Sequence, residues 1–166
     1  MRKYLILVLI LFGAVVWWTQ NPTDSYMTPT AEVGVKWDFP YVQINNTKIP
    51  VELAQTEAEV QKGLSGRASL DAEKGLLFIF SKPDYYRFWM PDMNFPIDIV
   101  WIVEGEVIGI HENISNRFDP KNPKFYTPPR PINRVLELNA GFAKKNIKAG
   151  DKIIFNNVDL ASRSPR

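Results

Sequence analysis

Apolar residues in this chain gather in short runs, and the densest grouping lies in residues 76–103, LLFIFSKPDYYRFWMPDMNFPIDIVWIV. Residues 76–80 and 97–103 are rich in branched and aromatic side chains and bounded by turn formers, the pattern of strands buried on both faces. Residues 85–90, YYRFWM, form a third run of the same kind. Asp98 interrupts its run. At period two it shares a face with Val100 and Ile102, so an ionisable group points where apolar ones belong and needs a partner or a purpose.

The flanking segments extend the pattern. Residues 41–44 and 49–54 predict two strands turning at Asn45, Asn46 and Thr47. Thr56-Glu57-Ala58-Glu59 has the form of a capping box and predicts a helix running to about Leu64 and stopping near Gly66. Glu104-Gly105 predicts a hairpin between residues 97–103 and 106–111. Residues 116–131 hold five prolines without an apolar period, which makes them a long loop. A strand at 133–138, a short helix at 140–147 and a last strand at 152–156 complete the series. Seven or eight strands with two short helices predict a mostly β fold, either a single antiparallel sandwich or a partly closed barrel.

The first 20 residues follow a different rule. Arg2 and Lys3 precede the unbroken apolar run 4–18, the combination that directs a chain to a membrane. Bulky Trp17 and Trp18 stand where a cleavage site wants small residues, which favours an uncleaved signal-anchor with the domain outside the cytoplasm; secretion after cleavage is the alternative. The expected organisation is therefore a membrane segment at 1–20, a proline-containing linker at 21–40, a globular domain at 41–157 and a polar tail at 158–166.

Composition narrows the chemistry. The absence of cysteine excludes disulfides and thiol nucleophiles, and a single histidine, His111, excludes the common zinc constellations, so neither metal nor cofactor is expected. Arg2 and Lys3 supply the net charge of +2, and the remaining basic and acidic residues cancel, which argues against a nucleic-acid partner.

The order of short motifs resembles domain-of-unknown-function family 192. Gly63-Leu64-Ser65-Gly66-Arg67 is similar to its G-L-M-x-R element, Gly75-Leu76-Leu77-Phe78 to G-M-L-F, and residues 88–98 to F-W-M-K-N-T-L-I-P-L-D. Val135-Leu136-Glu137 and Gly150-Asp151 resemble its later V-L-E and G-D elements. Ser65 stands in place of the usual Met, and Pro91-Asp92-Met93 in place of K-N-T. By position, Arg67, Trp89, Met90, Pro96, Asp98 and Glu137 correspond to the family's characteristic residues. The resemblance implies a compact β-rich domain that is often exported, and no agreed activity.

Three functions fit these residues. The first is a membrane-anchored binding module whose polar pocket, built from Arg67, Trp89, Met90, Asp92, Asp98 and Glu137, takes a small polar or carbohydrate ligand or an envelope component. Arg67 suits bidentate recognition beside Asp98, though the two could equally form an interior ion pair, with Arg87 as another partner. Trp89 and Tyr86 offer faces for a sugar. The second is a hydrolase of envelope polysaccharide or peptide using Asp98 with Glu137 or Asp92. Glu137 within RVLELN is otherwise expected to face solvent or pair with Arg134. The third is a structural envelope module acting through partners, which a large exposed apolar patch would favour.

Overall fold

Strands that are apolar on both faces form a sheet that must be covered on each side, and this chain meets the demand partly by curling the sheet on itself. The structure, a computed structural model, describes residues 37–160. Its strands are β1 (Tyr41–Ile44), β2 (Thr47–Ala54), β3 (Gly75–Asp84), β4 (Ile97–Val103), β5 (Glu106–Ile114), β6 (Ile132–Asn139) and β7 (Ile153–Asn156). Helix α1 (Glu57–Lys62) joins β2 to β3, and α2 (Phe142–Asn146) follows β6. The Thr56 hydroxyl accepts from the Glu59 N–H while the Glu59 carboxylate accepts from the Thr56 N–H, so α1 begins on its own capping box.

The strands form one sheet in the order β5-β4-β6-β3-β2-β1-β7. A helical connection returns the chain in its original direction, so β2 and β3 pair in parallel, and every other neighbouring pair is antiparallel. Glu104 (φ 48°) and Gly105 (φ 76°) both lie in the left-handed region and close the β4–β5 hairpin. The outer strands approach each other at one end: the Val107 N–H donates to the Asp151 carbonyl at 2.9 Å and the Ile153 N–H to the Gly105 carbonyl at 2.8 Å. The result is a half-barrel. Val42, Ile49, Leu77, Val100, Leu136 and Leu138 fill its interior with α2 residue Ala143, whereas Phe78, Ile97, Ile99, Trp101 and Val135 form a second core on the outer face.

Asp98 belongs to the interior. It is fully buried, and both oxygens are used: Oδ1 accepts from the Asn113 N–H at 2.8 Å and Oδ2 from the Ala143 N–H at 2.9 Å. Strand β5 carries an extra residue here, since Ile97 pairs with Ile114 and Ile99 with His111. Asn113 (φ 52°) lies in that bulge, where the ladder is interrupted. Helix α2 begins on Gly141, which is left-handed (φ 83°) and has no side chain to cap the first turn. One carboxylate on β4 serves both needs.

Several expectations are corrected. The sheet is single and mixed rather than an antiparallel sandwich, because α1 carries the chain across in parallel. Residues 85–90 are not a strand; their ladder contact is a bridge from Phe88 to Tyr126, and the Tyr86 and Phe88 rings turn inward to cover the outer face while Tyr85 and Trp89 stay exposed. The polar pocket expected around Asp98 does not form, because backbone amides consume the carboxylate and bury it. The expectation of a membrane-anchored domain outside the cytoplasm, with the membrane as partner, is also corrected. No helix among the described residues is long and apolar enough to cross a membrane. Helices of six and five residues reach only about 10 Å of a hydrocarbon core roughly 30 Å thick. The expected anchor at 1–20 lies outside the described residues, as do most of the linker and the end of the tail.

Replacing one Asp98 acceptor with an amide turns a donor toward a donor. Asp98→Asn is therefore expected to lower the unfolding free energy by about 2–4 kcal/mol. Urea denaturation of the full-length protein at neutral pH reads this as a lower midpoint, and an unchanged midpoint would show that the two bonds do not hold α2 to the sheet.

Candidate functional site

Period two along β6 decides where Glu137 goes. Leu136 and Leu138 point into the half-barrel, so Val135 and Glu137 point to the outer face, where Glu137 lies between Ile99 of β4 and Leu76 of β3. A sheet bare on that side would leave Glu137 in water. Here α1 and residues 85–96 cover the outer core, and only 6% of Glu137 remains exposed.

The cover is incomplete. Between α1, the end of β3 and residues 86–93 lies a cleft of about 470 Å³ that reaches Glu137. Its walls are largely apolar and aromatic, with Leu64 from the turn after α1, Phe78 and Phe80 from successive outward positions of β3, and Tyr86 and Phe88 from the covering segment. Phe80 and Tyr86 stack with centroids 3.7 Å apart, and Phe88 meets Phe78 edge-on at 5.1 Å, which fixes these rings against the sheet. Trp89 and Phe125 stack at 5.8 Å and are 51% and 43% exposed, leaving an aromatic pair in solvent beside the cleft.

Lys62 and Arg87 stand at the rim of these walls, and Glu137 is their one acidic group. Its carboxyl makes no hydrogen bond among the described residues, and Oε2 is buried without a partner. Burial pushes the carboxyl up to about 8, against the opposing pull of Arg67. Arg67 does not neutralise it, because its guanidinium bonds Glu52 at 2.8 Å. A group that is largely protonated at neutral pH at the foot of an aromatic cleft can donate a hydrogen bond, accept one, or ionise to receive a cation.

The structure separates the residues that the sequence grouped. Trp89, Met90 and Glu137 line the cleft. Arg67 pairs with Glu52 rather than Asp98, and Arg87 lies over the Phe125 ring at 4.9 Å. Asp92 is exposed, and its backbone carbonyl accepts from the Gly66 N–H, tying the covering segment to the turn after α1. Asp98 pairs with Leu138 on the interior face while Glu137 pairs with Ile99 on the outer one, so the two carboxylates cannot flank a single bond. Glu137 neither faces solvent nor pairs with Arg134, which lies one face away beside Phe155. Phe78 and Phe80 were missed as lining residues; their signal was the i, i+2 spacing along β3.

A second cavity, of about 380 Å³, lies along β5 and the loop after it, lined by His111, Arg117, Asp119 and Lys124 among others. His111 accepts the Trp101 indole N–H on Nδ1 at 2.8 Å, which places its own proton on Nε2. Burial lowers its pKa, and Lys124 adds to the effect. It is thereby held as a neutral donor, with the nitrogen a base would need already occupied.

The family model described as Uncharacterized ACR, DUF192, matches residues 41–155. A solved protein of unknown function from Novosphingobium aromaticivorans is similar at 33% identity, covering 69% of this chain and 83% of that one with a TM-score of 0.61. A putative transcription regulator from Sinorhizobium meliloti is similar at 27% identity, covering 72% and 93% with a TM-score of 0.62. No curated protein matches the chain.

A carboxyl that stays protonated in the fold up to about pH 8, yet ionises near 4.5 when unfolded, favours unfolding as pH rises through that window. By pH 7 the difference amounts to about 3 kcal/mol. Glu137→Gln cannot ionise, so it is expected to match the wild type near the lower end of the window and to exceed it by up to that amount at pH 7. Urea midpoints measured across the range check this; parallel pH profiles for the two proteins would contradict a buried carboxylic acid.

Proposed function

Because the chain belongs to the DUF192 family of uncharacterised proteins, we propose a function from its own cleft: it is a non-catalytic interaction domain that docks a segment of a partner protein. The observation that carries this reading is the Trp89–Phe125 stack, two large rings left half in water beside an apolar cleft of about 470 Å³. Exposed aromatic surface next to a concavity is the composition of an interface hot spot, in which rigid rings rim a pocket that takes a side chain from the partner.

Hydrolysis by paired carboxylates is not favoured, since Asp98 is committed to backbone amides on the opposite face and Asp92 does not line the cleft. The role printed for the S. meliloti protein is not carried over either. The helices among the described residues, of six and five residues, are too short to present a recognition helix to a major groove.

Panning a random peptide library displayed on phage against the full-length protein tests the proposal. Enriched peptides are expected to lose at least tenfold in affinity for Trp89→Ala, roughly the 1–2 kcal/mol of an interface aromatic. Trp89→Ala should leave the urea midpoint nearly unchanged, because the ring is half exposed. Peptides that bind wild type and variant alike, or a library that yields no enrichment, would overturn the reading.

A further inference from the structure

Glu137 is not explained by docking of an apolar side chain. Such an occupant would complete the burial of the carboxyl and still leave Oε2 without a partner. We infer that the cleft takes the ammonium group of a lysine on the docked segment, held by the Glu137 carboxylate among the surrounding rings. This rests on the docking reading above and names the side chain that anchors it.

Two independent features of the cleft favour a cation. The carboxyl at its foot has a buried oxygen with no hydrogen-bond partner, and Phe78, Phe80, Tyr86 and Phe88 supply π-systems whose faces are electron-rich. The basic residues nearby do not reverse this. Arg67, on the turn after α1, is paired with Glu52 of β2, Arg87 of the covering segment lies over the Phe125 ring, and Lys62 of α1 is exposed and screened by water. Charges in solvent interact weakly, whereas a carboxylate sealed among aromatic walls interacts strongly with whatever reaches it. Lysine fits better than arginine. Its aliphatic stem can lie along Leu64 and the rings while one compact charge meets one carboxyl, and a guanidinium would bring five donors to a site with few acceptors.

The proton balance follows directly. Before docking, Glu137 is mostly protonated at neutral pH. The ammonium keeps its own protons and donates to the carboxylate, so the carboxyl proton leaves to bulk water. Docking at pH 7 therefore releases ~0.9 proton per lysine, and affinity rises nearly tenfold from pH 6 to pH 7 before levelling off above pH 8.

The test uses the full-length protein and three blocked tripeptides, acetyl-Ala-X-Ala-amide with X as lysine, Nζ-acetyl-lysine or norleucine. Isothermal titration in two buffers of different ionisation enthalpy reads affinity and proton release together. The lysine peptide is expected to bind at least tenfold more tightly than the other two and to release a proton. Glu137→Gln should abolish both the preference and the release, so that the variant binds the lysine and norleucine peptides with equal affinity. Equal binding of lysine and norleucine peptides without proton release would overturn the inference and leave the docking reading standing. If none of the three bound, the inference would also fall, and the phage selection would decide the docking reading separately.

Discussion

Two backbone N–H groups on one buried carboxylate join the half-barrel to the helix that fills it. Asp98 lies on β4 but holds the Asn113 bulge of β5 and the first turn of α2, so a hairpin and a helix some 30 residues further along the chain share one anchor. The anchor serves one of the two bulges in the β4–β5 pairing, giving the Asn113 amide an acceptor off the ladder. It also lets α2 start on a glycine with no capping side chain. With α2 in place, Ala143 and Ile147 help fill the interior that the curled sheet leaves open.

The two buried carboxylates show how location alone assigns a role. Asp98 and Glu137 lie on adjacent strands one pairing step apart, yet the pleat sends them to opposite faces. On the interior face backbone amides are at hand, and the charge is absorbed into the architecture. On the outer face the neighbours are rings and aliphatic chains, and the carboxyl remains without a hydrogen bond. Satisfied polar burial fixes a fold; unsatisfied burial is maintained against a steady energetic disadvantage and so points outward, toward something that arrives.

Much of the fold is legible locally. The capping box at Thr56, the two-residue turn at Glu104-Gly105 and the runs that became β3 and β4 are each specified within a few residues. The parallel β2–β3 pair and the meeting of β5 with β7 are not, because they depend on contacts between remote segments. Residues 85–90 carry the composition of a strand but serve as cover, a tertiary override of propensity. Asp98 was conspicuous in sequence, but its partners are amides, which every residue possesses and no sequence advertises. Glu137 was misread for a related reason: alternation reveals that a side chain leaves one face, and says nothing of what lies over the other. Only the placement of α1 and the aromatic segment turns that position from solvent-facing to enclosed.

The closing strand sets an order on synthesis. β7 has four residues, and it pairs with β1 so that Tyr41 meets Asn156 and Val42 meets Phe155, the first and last strands of the domain. Until Ile153–Asn156 has left the ribosome, β1 presents a bare edge and Val42 and Ile44 have no strand beyond them. Local pieces such as the β4–β5 hairpin can form during translation, but the barrel wall cannot shut before its final segment emerges. A nascent chain of this domain therefore carries an open hydrophobic seam for most of its time on the ribosome, and a chain cut short before Ile153 would keep that seam open for good.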